Sequence, residues 1–141
     1  KKLVEWDSHR YLSKVNYKLH TDSIKNILLP ALNLIKLKQT SIYTDEADIL
    51  NVLVFGQTAI EWRKENPNLI AGNKNQRDYA TIEQLVIMAN LESLNAHLIS
   101  EGKTQIERIH LLAKHVTMQY QSFTKQEEEQ KRLVDIAKAA K

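Results

Sequence analysis

The sequence predicts an all-α fold: a compact bundle of about six or seven helices around a central buried helix near residues 81–101, with a long C-terminal helix. Three observations predict it. The chain of 141 residues holds only 3 Gly and 2 Pro, too few breakers for a turn-rich β architecture. Thr followed three residues later by Glu or Gln just before an apolar run, a helix-start signature, stands at Thr58/Glu61, Thr81/Gln84 and Thr104/Glu107, each expected to form a capping box. The stretch Asp78–Gly102, DYATIEQLVIMANLESLNAHLISEG, is apolar around most of a helical wheel, so other helices have to cover it.

Hydrophobic content of 43% and charged content of 26% are ordinary for a globular chain. The length suits one domain. Residues 1–124 read as that helical domain and 125–141 as a polar extension of its last helix. The absence of cysteine excludes disulfides and thiolate metal sites and fits a reducing, cytoplasmic compartment. No apolar run approaches the roughly 18 residues that a membrane span needs, and nothing at the start reads as a signal peptide. Beginning at Lys1 rather than Met, the chain reads as a fragment of something longer. Its net charge of +3 is unevenly spread: +5 over residues 1–40, −4 over 41–100 and +2 over 101–141. The basic first third offers Arg10, Lys14, Lys18 and Lys25 as candidate nucleic-acid contacts, set against the simpler reading of a solvated helix face.

In chain order, Val4, Tyr11, Leu12, Val15 and Leu19 are spaced as a one-sided helical stripe, with Trp6 able to join the same core and Lys14 and Lys18 facing out. Thr21-Asp22-Ser23 offers cap oxygens for a short helix, Ile24–Leu29, which Pro30 is expected to end. Ala31–Tyr43 is ambiguous: Leu32, Leu34, Ile35 and Leu37 suit one helical turn or a short extended piece, and Thr40-Ser41-Ile42-Tyr43 leans extended. Thr44 and Asp45 then look like caps for an apolar helix through Ile49, Leu50, Val52, Leu53, Val54 and Phe55, which Gly56 ends. The next helix starts at Thr58, carries Ile60 and Trp62 to the core, and stops at Glu65-Asn66-Pro67-Asn68. A polar surface loop follows as far as Arg77.

On the wheel of the helix near 81–101, Ile82, Leu85, Val86, Ala89 and Ala96 share one face. Ile87, Leu91, Leu94 and Leu98 share the opposite one, with Met88 and Ile99 beside them. Glu83, Asn90 and His97 form its polar strip, while Ala89, Ser93 and Ala96 leave room for a close neighbour. Thr81 is the expected cap, with Asp78 an alternative one turn earlier. Gly102 closes this helix. Beyond it Ile106, Ile109, Leu112, Ala113, Val116, Tyr120 and Phe123 alternate by three and four, a seam for antiparallel packing. After Phe123 the residues are polar as far as Arg132. Apolar positions return at Leu133, Val134, Ile136 and Ala137, so the end of this helix projects, docks on a second chain, or frays.

Chemistry-bearing patterns are scarce. His110 and His115 are five apart, whereas two ligands on one helix face need a spacing of three or four. His97 lies in the polar strip, and His9 and His20 lie near helix ends, so the histidines read as structural or solvent-facing. Asp78, Glu101 and Lys103 can be assembled into a Mg²⁺ nuclease set, but Glu101-Gly102-Lys103 is a helix cap rather than the strand that such a pair needs. There is no Gly-rich phosphate loop and no nucleophile motif. Trp6, Trp62 and Tyr79 read as core and loop anchors. No catalytic residue, cofactor site or metal site is assigned.

Three segments resemble a known family. Residues 45–67, DEADILNVLVFGQTAIEWRKENP, carry Glu46, Asp48, Asn51, Phe55, Gly56, Trp62 and Arg63. Residues 77–85, RDYATIEQL, carry Arg77, Asp78, Tyr79 and Thr81, and residues 90–96, NLESLNA, carry Asn90, Glu92 and Asn95. These look like the recurrent motifs of the helical region C-terminal to the KilA-N domain in bacterial, phage-derived KilA-N domain proteins. Glu5-Trp6, Asn16-Tyr17 and His20-Thr21-Asp22 are similar too, and the loop before Arg77 is longer than the family's short turn. The resemblance covers about residues 4–115. It implies a KilA-N module before Lys1 that contacts DNA in the parent protein. For this chain it carries over no catalytic residue, and the overlong last helix together with the missing chemistry points to a non-enzymatic domain for self-association or partner binding, with a homo-oligomer through the C-terminal helix as one form of it. The alternatives are direct nucleic-acid binding and, further off, the nuclease.

Overall fold

The computed structural model of the chain describes residues 2–32, 36–72 and 74–140, leaving aside the side chains of residues 2–7, 9, 36, 37 and 40. The described residues are helical, with no strand among them. Helix α1 (Lys2–Ser23) runs into a π-helical turn at Ile24–Leu28 and then into α2 (Leu29–Leu32). α3 spans Lys36–Phe55 and α4 spans Ala59–Glu65. Two 3₁₀ turns follow, Pro67–Leu69 and Gln76–Tyr79, before α5 (Ile82–Ser100) and the long α6 (Gln105–Ala139). Among the described residues no helix is long and apolar enough to cross a membrane.

The three capping boxes form as their spacing predicts. Thr58, Thr81 and Thr104 each accept from the backbone N–H three residues on, at 3.2, 3.1 and 3.3 Å. Glu61, Gln84 and Glu107 return bonds to the Thr backbone N–H at 3.0, 2.9 and 3.1 Å. Gly56 and Gly102 end α3 and α5 in the left-handed region, at φ 82° and 77°. After α5, Gly102 N–H bonds to Ile99 C=O at 3.0 Å and Lys103 N–H to Leu98 C=O at 3.1 Å, the paired closure of a Schellman turn.

α5 packs against α1, α3 and α6. The main core joins Leu50 and Val54 of α3, Ile87, Met88, Leu91 and Leu98 of α5, and Leu112 and Val116 of α6, with Phe55, Tyr120 and Phe123 packed against it. A second cluster gathers Ile24, Leu29 and Ile99, with Ile42 and Tyr43 against it. Asn16 reaches Ala89 and His20 reaches Asn95, so α1 runs parallel to α5. Asn90 reaches Gln119 and Arg108 reaches Asn95, so α6 runs antiparallel to α5.

Several sequence-based expectations are corrected. Pro30 does not stop the helix. The π turn before it, in which Leu29 N–H reaches back to Ile24 C=O, inserts an extra residue and widens the helix where the proline ring would clash. Residues 40–43 are helical rather than extended, and Thr44 and Asp45 lie inside α3 instead of capping it. Burial of Ile42 and Tyr43 against the second cluster overrides their β propensity. Residues 33–35, with Leu34 and Ile35, lie outside the described residues, as does the side chain of Leu37.

The largest reversal is in α1. Tyr11, Leu12, Val15 and Leu19 are exposed, and the helix turns Asn16, His20 and Ser23 inward instead. The small side chains of Ala89 and Ala96 let α1 come so close that the Asn16 amide bonds to the Ala89 carbonyl at 3.0 Å. The side chains of Val4, Trp6 and His9 lie outside the described residues. Ile60, Ile82 and Ile106, expected in the core, are exposed. Each sits in the first turn of its helix, where the capping turn faces solvent.

Candidate functional site

Two rows of side chains at four-residue steps meet in the bundle: Glu46, Leu50 and Val54 on α3, and Arg108, Leu112 and Val116 on α6. All six are buried. The rows thus begin at one end with opposite charges, and Arg108 and Glu46 form a two-pronged ion pair there. Nη1 donates to Oε1 in a short bond and Nη2 to Oε2 at 3.3 Å. Asn95 of α5 bridges the pair, accepting from Arg108 Nη1 at 2.9 Å and donating to Glu46 Oε1 at 3.1 Å. Gln105 adds a bond to Glu46 Oε2 at 3.2 Å, and Arg108 Nε donates to the Lys103 carbonyl at 3.3 Å.

The second proton of the Asn95 amide points at His20 Nε2, 2.8 Å away. Because the amide oxygen already accepts from Arg108, the amide nitrogen has to donate, so Nε2 accepts and the imidazole is neutral, protonated on Nδ1. Burial pushes the His20 pKa from 6.5 down to about 4. Arg77 and Arg108 push the same way, and Glu46 opposes them. Burial alone would raise Glu46, but hydrogen bonds from Arg108, Asn95 and Gln105 and the Arg108 charge hold it below the usual carboxylate range.

One turn earlier on α5, Glu92 pairs with Arg77 at 3.3 Å. Glu92 is 1% exposed on its side chain and Arg77 33%, and the Arg77 guanidinium lies over the Tyr17 ring, 5.8 Å from its centre. Burial raises the Glu92 pKa against the pull of Arg77. Oε1 of Glu92 and Oε1 of Gln76 have no protein partner.

The family-like motif residues therefore divide into two groups. Glu46 and Asn95 belong to the buried cluster around Arg108, and Glu92 pairs one turn away with the partly exposed Arg77. The others shape chain turns and packing. Phe55 packs on the main core, Gly56 ends α3, and buried Trp62 lies 5.7 Å from the Tyr79 ring. Tyr79 Oη donates to the Leu69 carbonyl at 2.7 Å and so pins the loop. Asp78 caps the 3₁₀ turn rather than α5, accepting from Asn75 N–H at 2.7 Å. Thr81 caps α5, Asn90 bonds Gln119, Asp48 and Asn51 are half-buried, and Arg63 is exposed. Burial, then Asp45 and Glu61, raise the Asp48 pKa.

Asp78 and Glu101 stand at opposite ends of α5, roughly 30 Å apart at 1.5 Å per residue, so the nuclease set is not brought together. Among the described residues no acidic or histidine cluster has the arrangement of a metal site. Arg10, Lys14, Lys18 and Lys25 are all exposed, with Lys18 paired to Asp22 at 2.9 Å.

Sequence reasoning missed Arg108 and the inward turn of His20. A signal for Arg108 was present: a charged residue at the head of an i, i+4, i+8 apolar row, on each of two helices and with opposite signs. The groups of this layer are sealed from solvent, with Glu46 and Asn95 1% exposed and Arg108 2%. What it does chemically is fix register, because sliding α6 one turn along α3 would strand two buried charges.

The surface carries the remaining features. Every residue from Thr124 to Ala140 is exposed, although α6 continues unbroken to Ala139. Leu133, Val134 and Ile136 are more than half exposed on this projecting part. No protein-family model, curated protein or solved structure matches the chain.

Proposed function

We propose that the chain is a non-catalytic helical domain of a phage-derived KilA-N type protein. In this reading it mediates self-association or partner binding next to a DNA-binding module encoded outside this stretch, in the cytoplasm. The motif segments over residues 45–67, 77–85 and 90–96 support the family, and α6 supports the self-association. At 35 residues the helix is roughly 52 Å long, and from Thr124 on it is exposed throughout, presenting Leu133, Val134 and Ile136 to solvent. A helix end of that kind is stable when another surface covers it. The sealed polar layer supports a structural role for the motif residues. Light scattering over a concentration series is expected to give a mass that rises above that of the monomer. A strict monomer at high concentration sinks the self-association reading.

A second reading, direct nucleic-acid binding, is favoured by one observation. Arg10, Lys14 and Lys18 are exposed at four-residue steps along α1, a spacing that lines charges along one flank. It predicts that the domain retards duplex DNA at low salt and releases it steeply as salt rises. No retardation at low salt ends that reading.

A further inference from the structure

α1 is held to the bundle differently from the other long helices. α3, α5 and α6 interlock through the buried apolar side chains of the main core. Among the described side chains of α1 the buried ones are His20 and Ser23, and neither is apolar. Its Tyr11, Leu12, Val15 and Leu19 face solvent, and the first buried apolar residue after them, Ile24, belongs to the π turn. Hydrogen bonds therefore carry much of the docking. The Asn16 amide reaches the Ala89 carbonyl at 3.0 Å, and the Asn95 amide reaches His20 Nε2 at 2.8 Å.

The hydrogen bonds through the polar layer run one way. Arg108 Nη1 donates to Asn95 Oδ1, and Asn95 Nδ2 donates both to Glu46 Oε1 and to His20 Nε2. Turning the Asn95 amide over would set its nitrogen against the Arg108 N–H and its oxygen against the Glu46 carboxylate. Asn95 is thus fixed, and His20 has a partner there only while Nε2 is bare. A proton on Nε2 sets N–H against N–H at a buried contact, which leaves both donors unsatisfied. The surrounding charges do not favour that proton either. Arg108 of α6 and Arg77 of the 3₁₀ turn oppose it, and Glu46 of α3 attracts it. Glu92 of α5 is taken up by Arg77. On α1 itself Lys18 and Asp22 pair with each other at the surface, and Lys25 of the π turn is exposed.

We propose that α1 is a detachable arm, latched to α5 through His20 and released by a proton on Nε2, with the α3–α5–α6 core left standing. The arm hinges at the start of the π turn, because Ile24 and Leu29 stay buried with Ile99 while the helix before them has only its polar contacts to lose. Release uncovers the face of α5 that carries Ala89, and the main core, whose buried cluster holds no residue of α1, keeps its packing. The direction follows from linkage. His20 titrates at 6.5 when free and at about 4 when docked, so acid favours the released arm. Between pH 7 and 4.5 this multiplies the ratio of released to docked arm roughly 60-fold.

The test is a pair of distances in the full chain, read by double electron–electron resonance at pH 7 and 4.5. The chain has no cysteine, so spin labels go only where one is introduced, and an excess of unlabelled chain keeps the distances within one molecule. Tyr11→Cys/His115→Cys spans α1 and α6, and Ser100→Cys/Met118→Cys spans α5 and α6. At pH 4.5 the first distance is expected to lengthen and broaden while the second holds. His20→Gln, whose amide oxygen replaces Nε2 as acceptor and does not titrate, is expected to keep the pH 7 distances. Glu92→Gln, which removes the titration of the neighbouring carboxylate, should release the arm as the parent does. A first distance unchanged at pH 4.5 overturns the proposal. So do two distances that broaden together, since acid then unfolds the whole bundle, and a His20→Gln chain that releases on acidification like the parent. Nitrogen NMR of the parent's His20 ring supplies a check that needs no substitution. Nε2 is expected to be bare at pH 7 and to gain its proton in step with release, and a ring that carries its proton on Nε2 at pH 7 sinks the latch.

Discussion

Arg108 holds both oxygens of Glu46 and the amide oxygen of Asn95 in a place water does not reach. Arg108→Met leaves the Glu46 carboxylate buried with only Asn95 and Gln105 as donors. Removing one partner of a buried pair costs about 3–5 kcal/mol, so the urea midpoint of this variant is expected to drop sharply. Adding Glu46→Leu to it should recover part of the loss, because a buried charge is then no longer stranded. A midpoint for Arg108→Met within error of the parent's would contradict the layer's role. His20 supplies a pH dependence of known sign. Its pKa falls from 6.5 to about 4 on folding, so the unfolded chain binds the proton more readily. The stabilisation is whole above pH 6.5, shrinks as the pH falls through the window down to 4, and amounts to about 2 kcal/mol lost between pH 7 and 5. Urea titrations at those two pH values should show this difference in the parent and a smaller one in His20→Gln, while an unchanged slope in the variant would assign the effect elsewhere.

At the scale of the elements, caps were legible because they depend on residues three apart. All three Thr-initiated boxes form, and Thr81→Ala, which removes the acceptor for Gln84 N–H, is expected to cost about 1 kcal/mol by thermal or urea unfolding. An unchanged stability would mean that the first turn of α5 frays anyway. Elements whose character depends on distant partners were less legible. α1 shows an apolar stripe by composition, yet it turns Asn16 and His20 inward, because the amide and imidazole find Ala89 and Asn95 some 73 and 75 residues away. Residues 40–43 have a local lean towards extended structure that the packing of Ile42 and Tyr43 reverses. Pro30 is a strong local stop, and only the π turn beside it, invisible in a periodicity count, lets helix continue. The same logic separates the site residues. Glu46 and Asn95 stood out through the motif resemblance, but that they converge on Arg108 and His20 is a property of four helices together.

For the whole molecule, the question is what keeps the end of α6 helical. A polar helix of about 15 residues without tertiary contacts is marginal in water, and from Thr124 onward every residue of this one is exposed. Its order should therefore depend on concentration, whereas that of the bundle should not. Amide hydrogen exchange separates the two. Amides of α5, whose Ile87, Leu91 and Ile99 lie in the two core clusters, are expected to stay protected at every protein concentration. Amides of residues 125–139 are expected, on the proposed self-association, to be protected in concentrated solution and to exchange freely on dilution. In Leu133→Lys/Ile136→Lys they should exchange freely throughout, with α5 unaffected. Protection of 125–139 that survives dilution would mean that the helix end is stabilised within its own chain, and the exposed Leu133, Val134 and Ile136 would then have no need of a partner.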